Sequence, residues 1–181
     1  MFSNYDIREY NAISKFFHWV IALLIILNYI GGLTQKMFDY QFINLHKQFG
    51  LTILVLVLLR IVWNLLSNYP SSASELGLLA KSISKLGHLF LYILMLFIPI
   101  FGIILVQSKG YTLTLWGLIT IPNLIDIKPH DISHKIKEIH EYLAHSIIIL
   151  AFIHALFALK HHYINGDSVL RRMLPKNKYR L

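Results

Sequence analysis

Two histidines in the stretch EIHEYLAHSIIILAFIHALFALKHHY, His140 and His154, stand fourteen residues apart in an otherwise apolar run. On an α-helix, at 100° per residue, fourteen steps fall ~40° short of four full turns and rise ~21 Å. Both rings therefore lie on one face of one helix, at two depths. Imidazole offers two chemistries here, metal ligation and proton exchange near neutral pH. The chain has ten histidines and no cysteine. Thiolate zinc sites and cysteine-bound iron–sulfur clusters are excluded, and histidine is the soft ligand present in number.

The elements that must position these rings are legible in the composition. With 56% apolar and 14% charged residues, and a mean hydropathy of +0.57, the chain is too apolar for an ordinary water-soluble domain. Four apolar runs, about 16–33, 49–66, 86–106 and 142–159, each approach the ~20 residues that cross a hydrocarbon core. The first is read as a retained span, because Asp6 and Glu9 offset Arg8 and Lys15, and no small-residue cleavage site follows. The reading is all-α, a single domain over 1–181 forming an integral membrane four-helix bundle.

With both termini in the cytoplasm, eleven Lys and Arg fall on the cytoplasmic side and six on the outer side, as the positive-inside rule requires. The net charge of +8 is thereby explained by topology and headgroup contact, and nucleic acid is not needed as a partner. The connection from Gln107 to about Ile136, with Trp116, Gly117 and Pro122, is expected to rest at the membrane interface.

Polar side chains inside a bilayer are costly and usually face the bundle interior. In this topology His46 and His140 lie at the outer level, and His18 and His154 at the inner level. The depths match in pairs, His46 with His140 and His18 with His154. This is an arrangement for two haems stacked across the membrane, each iron held by two imidazoles. Fourteen-residue intervals also join His18 to Gly32, His46 to Arg60 and His88 to Gly102. A glycine on that face admits a flat macrocycle to the backbone, and an inward Arg60 suits a haem propionate.

Simpler readings compete. A single membrane histidine commonly packs against a neighbouring helix, and that reading stands for His88 beside a place in a cytoplasmic cleft with Lys81 and Lys85. Arg60 has snorkelling to the surface as its alternative. HEYLAH is not the zinc-peptidase HExxH, since its histidines are five residues apart and diverge by ~140°. His145 is thus expected off the ligand face, and His130 and His134 in solvent.

The residues resemble a family. FFHWVIALLIILNY, INLHKQFGLTILVLVLLRIVW with its internal arginine, LGHLFLYILMLFIPIFGIIL and the fourth-helix stretch are together similar to the prokaryotic cytochrome b561 family of four-helix dihaem membrane proteins. The resemblance covers nearly the whole chain and implies two b haems on His18, His46, His140 and His154, in a bacterial inner membrane. Irons with both axial positions filled transfer electrons rather than bind oxygen. One end then meets a water-side donor and the other a lipid-soluble carrier, most simply a quinone. His161, seven residues beyond His154 on the same face, is the candidate quinone contact. The family implies superoxide:ubiquinone oxidoreduction, with Lys47 and Lys137 near the outer pair. The alternative is an electron-transfer cytochrome b subunit linking quinol to a periplasmic redox partner. A small structural or transport protein is the non-redox reading.

Overall fold

The computed structural model describes residues 9–38, 42–67, 77–124 and 130–175. Four long helices dominate: α1 (Ala12–Thr34), α2 (Ile43–Leu66), α3 (Leu78–Ser108) and α4 (His130–Tyr163). Each contains a stretch long and apolar enough to cross a membrane. The helices outrun the apolar runs that announce them, because helical hydrogen bonding continues past the edge of the hydrophobic stretch. One consequence is that His46 lies inside the first turns of α2 rather than ahead of it.

Helix α1 begins where Asn11 caps it, its Oδ1 accepting from the Ser14 amide at 2.8 Å. The Trp63 indole donates to Asn11 Oδ1 and to Ser14 Oγ, at 3.3 and 3.2 Å, tying the cap to the end of α2. The start of α1 and the segment after α4 share this end of the bundle. Trp19 Nε1 donates to the Met173 carbonyl at 3.0 Å, and the Arg172 guanidinium lies over the Tyr10 ring. We call this the termini end, and the opposite one the far end.

Helices α1 and α2 pack as one antiparallel pair, α3 and α4 as another, and α2 joins them through α3. Helix α4 has no comparable close packing on α1 or α2. Side chains bridge that interval. Its aliphatic core is Ile21, Ile53, Val57, Met95 and Ile147. Most large apolar side chains outside this core are exposed, as lipid-facing residues are.

At the far end the interfacial segment is a two-stranded antiparallel hairpin, β1 (Leu113–Leu115) and β2 (Ile119–Ile121), a small addition to the helical fold. Its turn holds both Trp116 and Gly117 at positive φ, 51° and 73°. Tryptophan tolerates this rare conformation because its amide donates to Gln48 and its indole to Thr52, both on α2.

Candidate functional site

The structure brings His46 and His140 together at the far end, ring centroids 6.2 Å apart and planes at 83°. At the termini end it brings His18 and His154 together, 6.4 Å apart at 63°. Two imidazoles on opposite sides of one metal ion, each nitrogen about 2 Å from it, have centroids about 6 Å apart. Both pairs stand at that separation. Among the described residues no group of three or more His, Cys, Asp or Glu gathers to hold a metal ion. A metal shared by either pair therefore takes its remaining ligands from a bound group.

The far-end rings are fixed by helix carbonyls. His46 Nδ1 donates to the Asn28 carbonyl on α1 at 3.1 Å, and His140 Nδ1 donates to the Ile98 carbonyl on α3 at 3.0 Å. Each acceptor lies four residues before a glycine, Gly32 and Gly102. A helix carbonyl is normally screened by the side chain four residues on. Here no Cβ exists, and one added at Gly32 would meet His46 Cε1 at 3.1 Å, at Gly102 His140 Cε1 at 3.3 Å. The glycines thus admit the imidazole rings themselves, a role their spacing alone did not suggest. With Nδ1 engaged, Nε2 is the nitrogen left for a metal.

The termini-end pair has different surroundings. Arg60 is only 8% exposed, so its guanidinium does not snorkel to the surface. Its Nη2 lies 3.4 Å from His18 Nδ1 and its guanidinium 5.5 Å from the Tyr92 ring centroid, while Nε is buried without a partner. The Tyr92 hydroxyl in turn accepts from Asn64 at 2.8 Å. No carboxylate pairs with Arg60 among the described residues. A buried cation in that state is an anion site in waiting.

His88 stands 5.0 Å from His154, closer than a shared metal allows, and its Nδ1 donates to the Ser84 carbonyl. It is a third imidazole at this level, packed on the pair.

Between the two levels lies the aliphatic core. Ile53 is midway between His46 and Arg60, Met95 between His88 and Gly102, Ile147 between His140 and His154, and all three are buried. Steps of seven residues keep one helix face, so each helix presents a chemical rung, an apolar rung and another chemical rung. The apolar rungs were not singled out from the sequence, although the same seven-residue step would have found them.

The remaining histidines separate by role. His145 leaves the ligand face and bonds through Nδ1 to the Tyr29 hydroxyl at 2.7 Å, bridging α4 to α1. His134 is exposed beside Glu138, and the His130 side chain lies outside the described residues. His161 donates from Nδ1 to Asp167, whose carboxylate also accepts from the Val169 amide at 3.1 Å. Asp167 is held close by the turn after α4, where Gly166 adopts φ +69°. His162 stacks edgewise on Tyr163. At the far end Lys137 pairs with Glu141 at 3.3 Å, and Lys47 lies over the Tyr111 ring.

Four helices long and apolar enough to cross a membrane, with facing imidazole pairs at opposite ends, are the arrangement of a cytochrome b bundle. A family profile described as prokaryotic cytochrome b561 matches residues 9–176, and the chain belongs to that family. It is 29% identical to Cytochrome b561 homolog 2 of Escherichia coli K12, over 94% of this chain and 93% of the relative. It is 28% identical to Probable superoxide oxidase CybB of Yersinia pestis, over 94% and 98%. Cytochrome b562 of Cereibacter sphaeroides is 30% identical over 91% and 94%. The family role is transmembrane electron transfer, and membership implies b-type haem.

Proposed function

We propose that the chain carries electrons across a bacterial inner membrane through two b haems, from an outer-side one-electron donor, superoxide, to membrane ubiquinone. The observation that carries this reading is the recurrence of the two-imidazole separation at both ends, 6.2 and 6.4 Å, across one apolar core. His46 and His140 would hold the haem at the far end, toward the outer side, and His18 and His154 the one at the termini end, in the cytoplasmic leaflet. Residues and group fit: the rings are spaced for a shared iron, His88 stands too close to His154 to share it, and Arg60 offers a buried cation for a propionate. Bis-imidazole b haem supplies one-electron exchange with no open coordination position.

The protein's own residues do the rest. Ile53, Met95 and Ile147 exclude water between the levels, so charge crosses as electrons and not as protons. Asn28 and Ile98 fix the tautomer and tilt of the far-end rings. His161, with Asp167 holding its Nδ1 proton, presents Nε2 to accept a hydrogen bond from the hydroxyl of the quinol that forms. The superoxide donor follows the name of the Yersinia pestis relative. By sequence the outer segments hold six positive and five negative residues, a balance that gives no clear funnel for an anion.

The test is to feed superoxide to the purified protein in vesicles containing ubiquinone. Superoxide-dependent quinol formation, lost in His46→Ala, supports the reading. No quinol with superoxide, but haem reduction by quinol and reoxidation by a periplasmic redox protein, would support the second reading, an electron-transfer cytochrome b subunit. The pairing of Lys137 with Glu141 favours that reading to the extent that it removes a free cation from the outer face.

A further inference from the structure

The two histidine pairs have the same spacing and opposite surroundings. At the far end both Nδ1 atoms donate to helix carbonyls, at 3.1 and 3.0 Å. An acceptor on Nδ1 makes an imidazole a stronger donor to its metal and favours the oxidised ion. At the termini end no carbonyl reaches either ring among the described contacts. His18 Nδ1 instead faces the guanidinium of Arg60 at 3.4 Å, a group that can only donate.

Charge follows the same division. The buried cations among the described residues are Lys15, Arg60 and Arg172, all at the termini end. Lys15 is paired with Glu9 at 2.9 Å, and Arg172 lies over Tyr10. Arg60 has no carboxylate partner among the described residues and lies against His18, so in the haem-loaded chain it would offset the propionate charge beside this pair and leave an added electron less opposed there. The nearest carboxylate beyond α4 in sequence, Asp167, is engaged by His161. Along α2, Arg60 is ~21 Å from the level of His46. Coulomb attraction falls with distance, so its pull on an added electron is roughly threefold or more weaker at the far pair.

We infer that these surroundings set the two pairs at unequal potentials, the termini-end pair higher, so that electron transfer through the chain runs downhill from far end to termini end. This rests on the two-haem reading. With haem bound, one electron would pass from the group held by His46 and His140, oxidising it, to the group held by His18 and His154, reducing it. The outer donor, superoxide becoming dioxygen, restores the first. Quinone would take two such electrons from the second and two protons from the water on that side to become quinol. Gly32 and Gly102 are positioning residues, since they act by letting the rings reach their carbonyls.

Spectroelectrochemical titration of the haem-loaded chain in detergent tests this. The wild type is expected to show two one-electron waves. Arg60→Gln lowers the higher wave by a factor of ten or more in the sharing equilibrium, about 59 mV for one electron, and leaves the lower in place. Arg60→Lys keeps the higher wave near its original position. Gly102→Ala, which crowds His140 by a few tenths of an ångström and weakens its bond to the Ile98 carbonyl, raises the lower wave alone. Coincident waves in the wild type would overturn the inference. So would Arg60→Gln moving the lower wave or neither, or Gly102→Ala moving the higher. If Arg60→Gln retains one haem only, Arg60→Lys and Gly102→Ala carry the decision. A wild-type chain with fewer than two haems refutes the underlying reading instead.

Discussion

Arg60 lies against His18, Nη2 to Nδ1 at 3.4 Å, rather than reaching for the membrane surface. A guanidinium buried with one unpartnered nitrogen destabilises the chain that holds it, until an anion arrives. The expected outcome for Arg60→Leu is therefore a crossed pair of effects. The haem-free protein becomes more stable, by about 1–4 kcal/mol, while haem at the termini end is held less tightly. Thermal unfolding in detergent with and without haem reads both. A loss of stability in the haem-free state would mean that Arg60 already has its partner.

The glycine notches make a size-graded prediction. Gly32→Ala asks the His46 ring to move by a few tenths of an ångström, from a Cβ contact of 3.1 Å. Gly32→Leu fills the notch and denies His46 the Asn28 carbonyl. Overpacking of this kind costs about 1–3 kcal/mol. Haem retention at the far end should fall from glycine to alanine to leucine, and the termini-end haem should be unaffected. Equal retention in all three variants would show that the ring does not need the notch.

Much of this was legible because membranes simplify sequence. Backbone groups must pair within each span, so four apolar runs could only be four helices, and a fourteen-residue step placed His140 and His154 on one face. The same step put Arg60 inward on α2. What the step could not reveal was the partner of each ring. The acceptors for His46 and His140 are backbone carbonyls on other helices, and a carbonyl has no sequence identity. Gly32 and Gly102 could be placed only by face, because spacing says which face a residue occupies and not what fills the space before it. The hairpin at Leu113–Ile121 was hidden for another reason: Trp116 occupies a backbone conformation that tryptophan rarely adopts, held by bonds to α2. Asp167, six residues after His161, carries no periodic signal, since the helix has ended and a turn returns it to the ring.

The cap of α1 is a shared joint. Asn11 accepts from the Ser14 amide and from the Trp63 indole, so Asn11→Ala removes a helix cap and a contact between α1 and α2. A loss of about 1–2 kcal/mol is expected. Thermal unfolding of Asn11→Ala and Asn11→Asp isolates the contribution of this acceptor, because aspartate keeps the oxygen that both donors use. If alanine is as stable as the wild type, the cap is not supporting this end.

Asp167 holds the Nδ1 proton of His161 and thereby leaves Nε2 as an acceptor. Asp167→Asn is expected to slow reoxidation of the prereduced protein by a quinone several-fold while leaving its haem spectrum intact. Stopped-flow mixing with a water-soluble quinone analogue reads the rate. An unchanged rate would place quinone elsewhere on the bundle.

The central claim is the pair of bis-imidazole sites, and haem per polypeptide tests it most directly. The chain should be purified in detergent after expression with ample haem, and haem counted against protein, together with a reduced-minus-oxidised spectrum. Two low-spin b haems are expected, falling to one in His140→Ala and to the other one in His154→Ala, with both retained in His145→Ala. A wild-type chain holding one haem or none, or a His145→Ala chain that loses one while His140→Ala does not, would contradict the account.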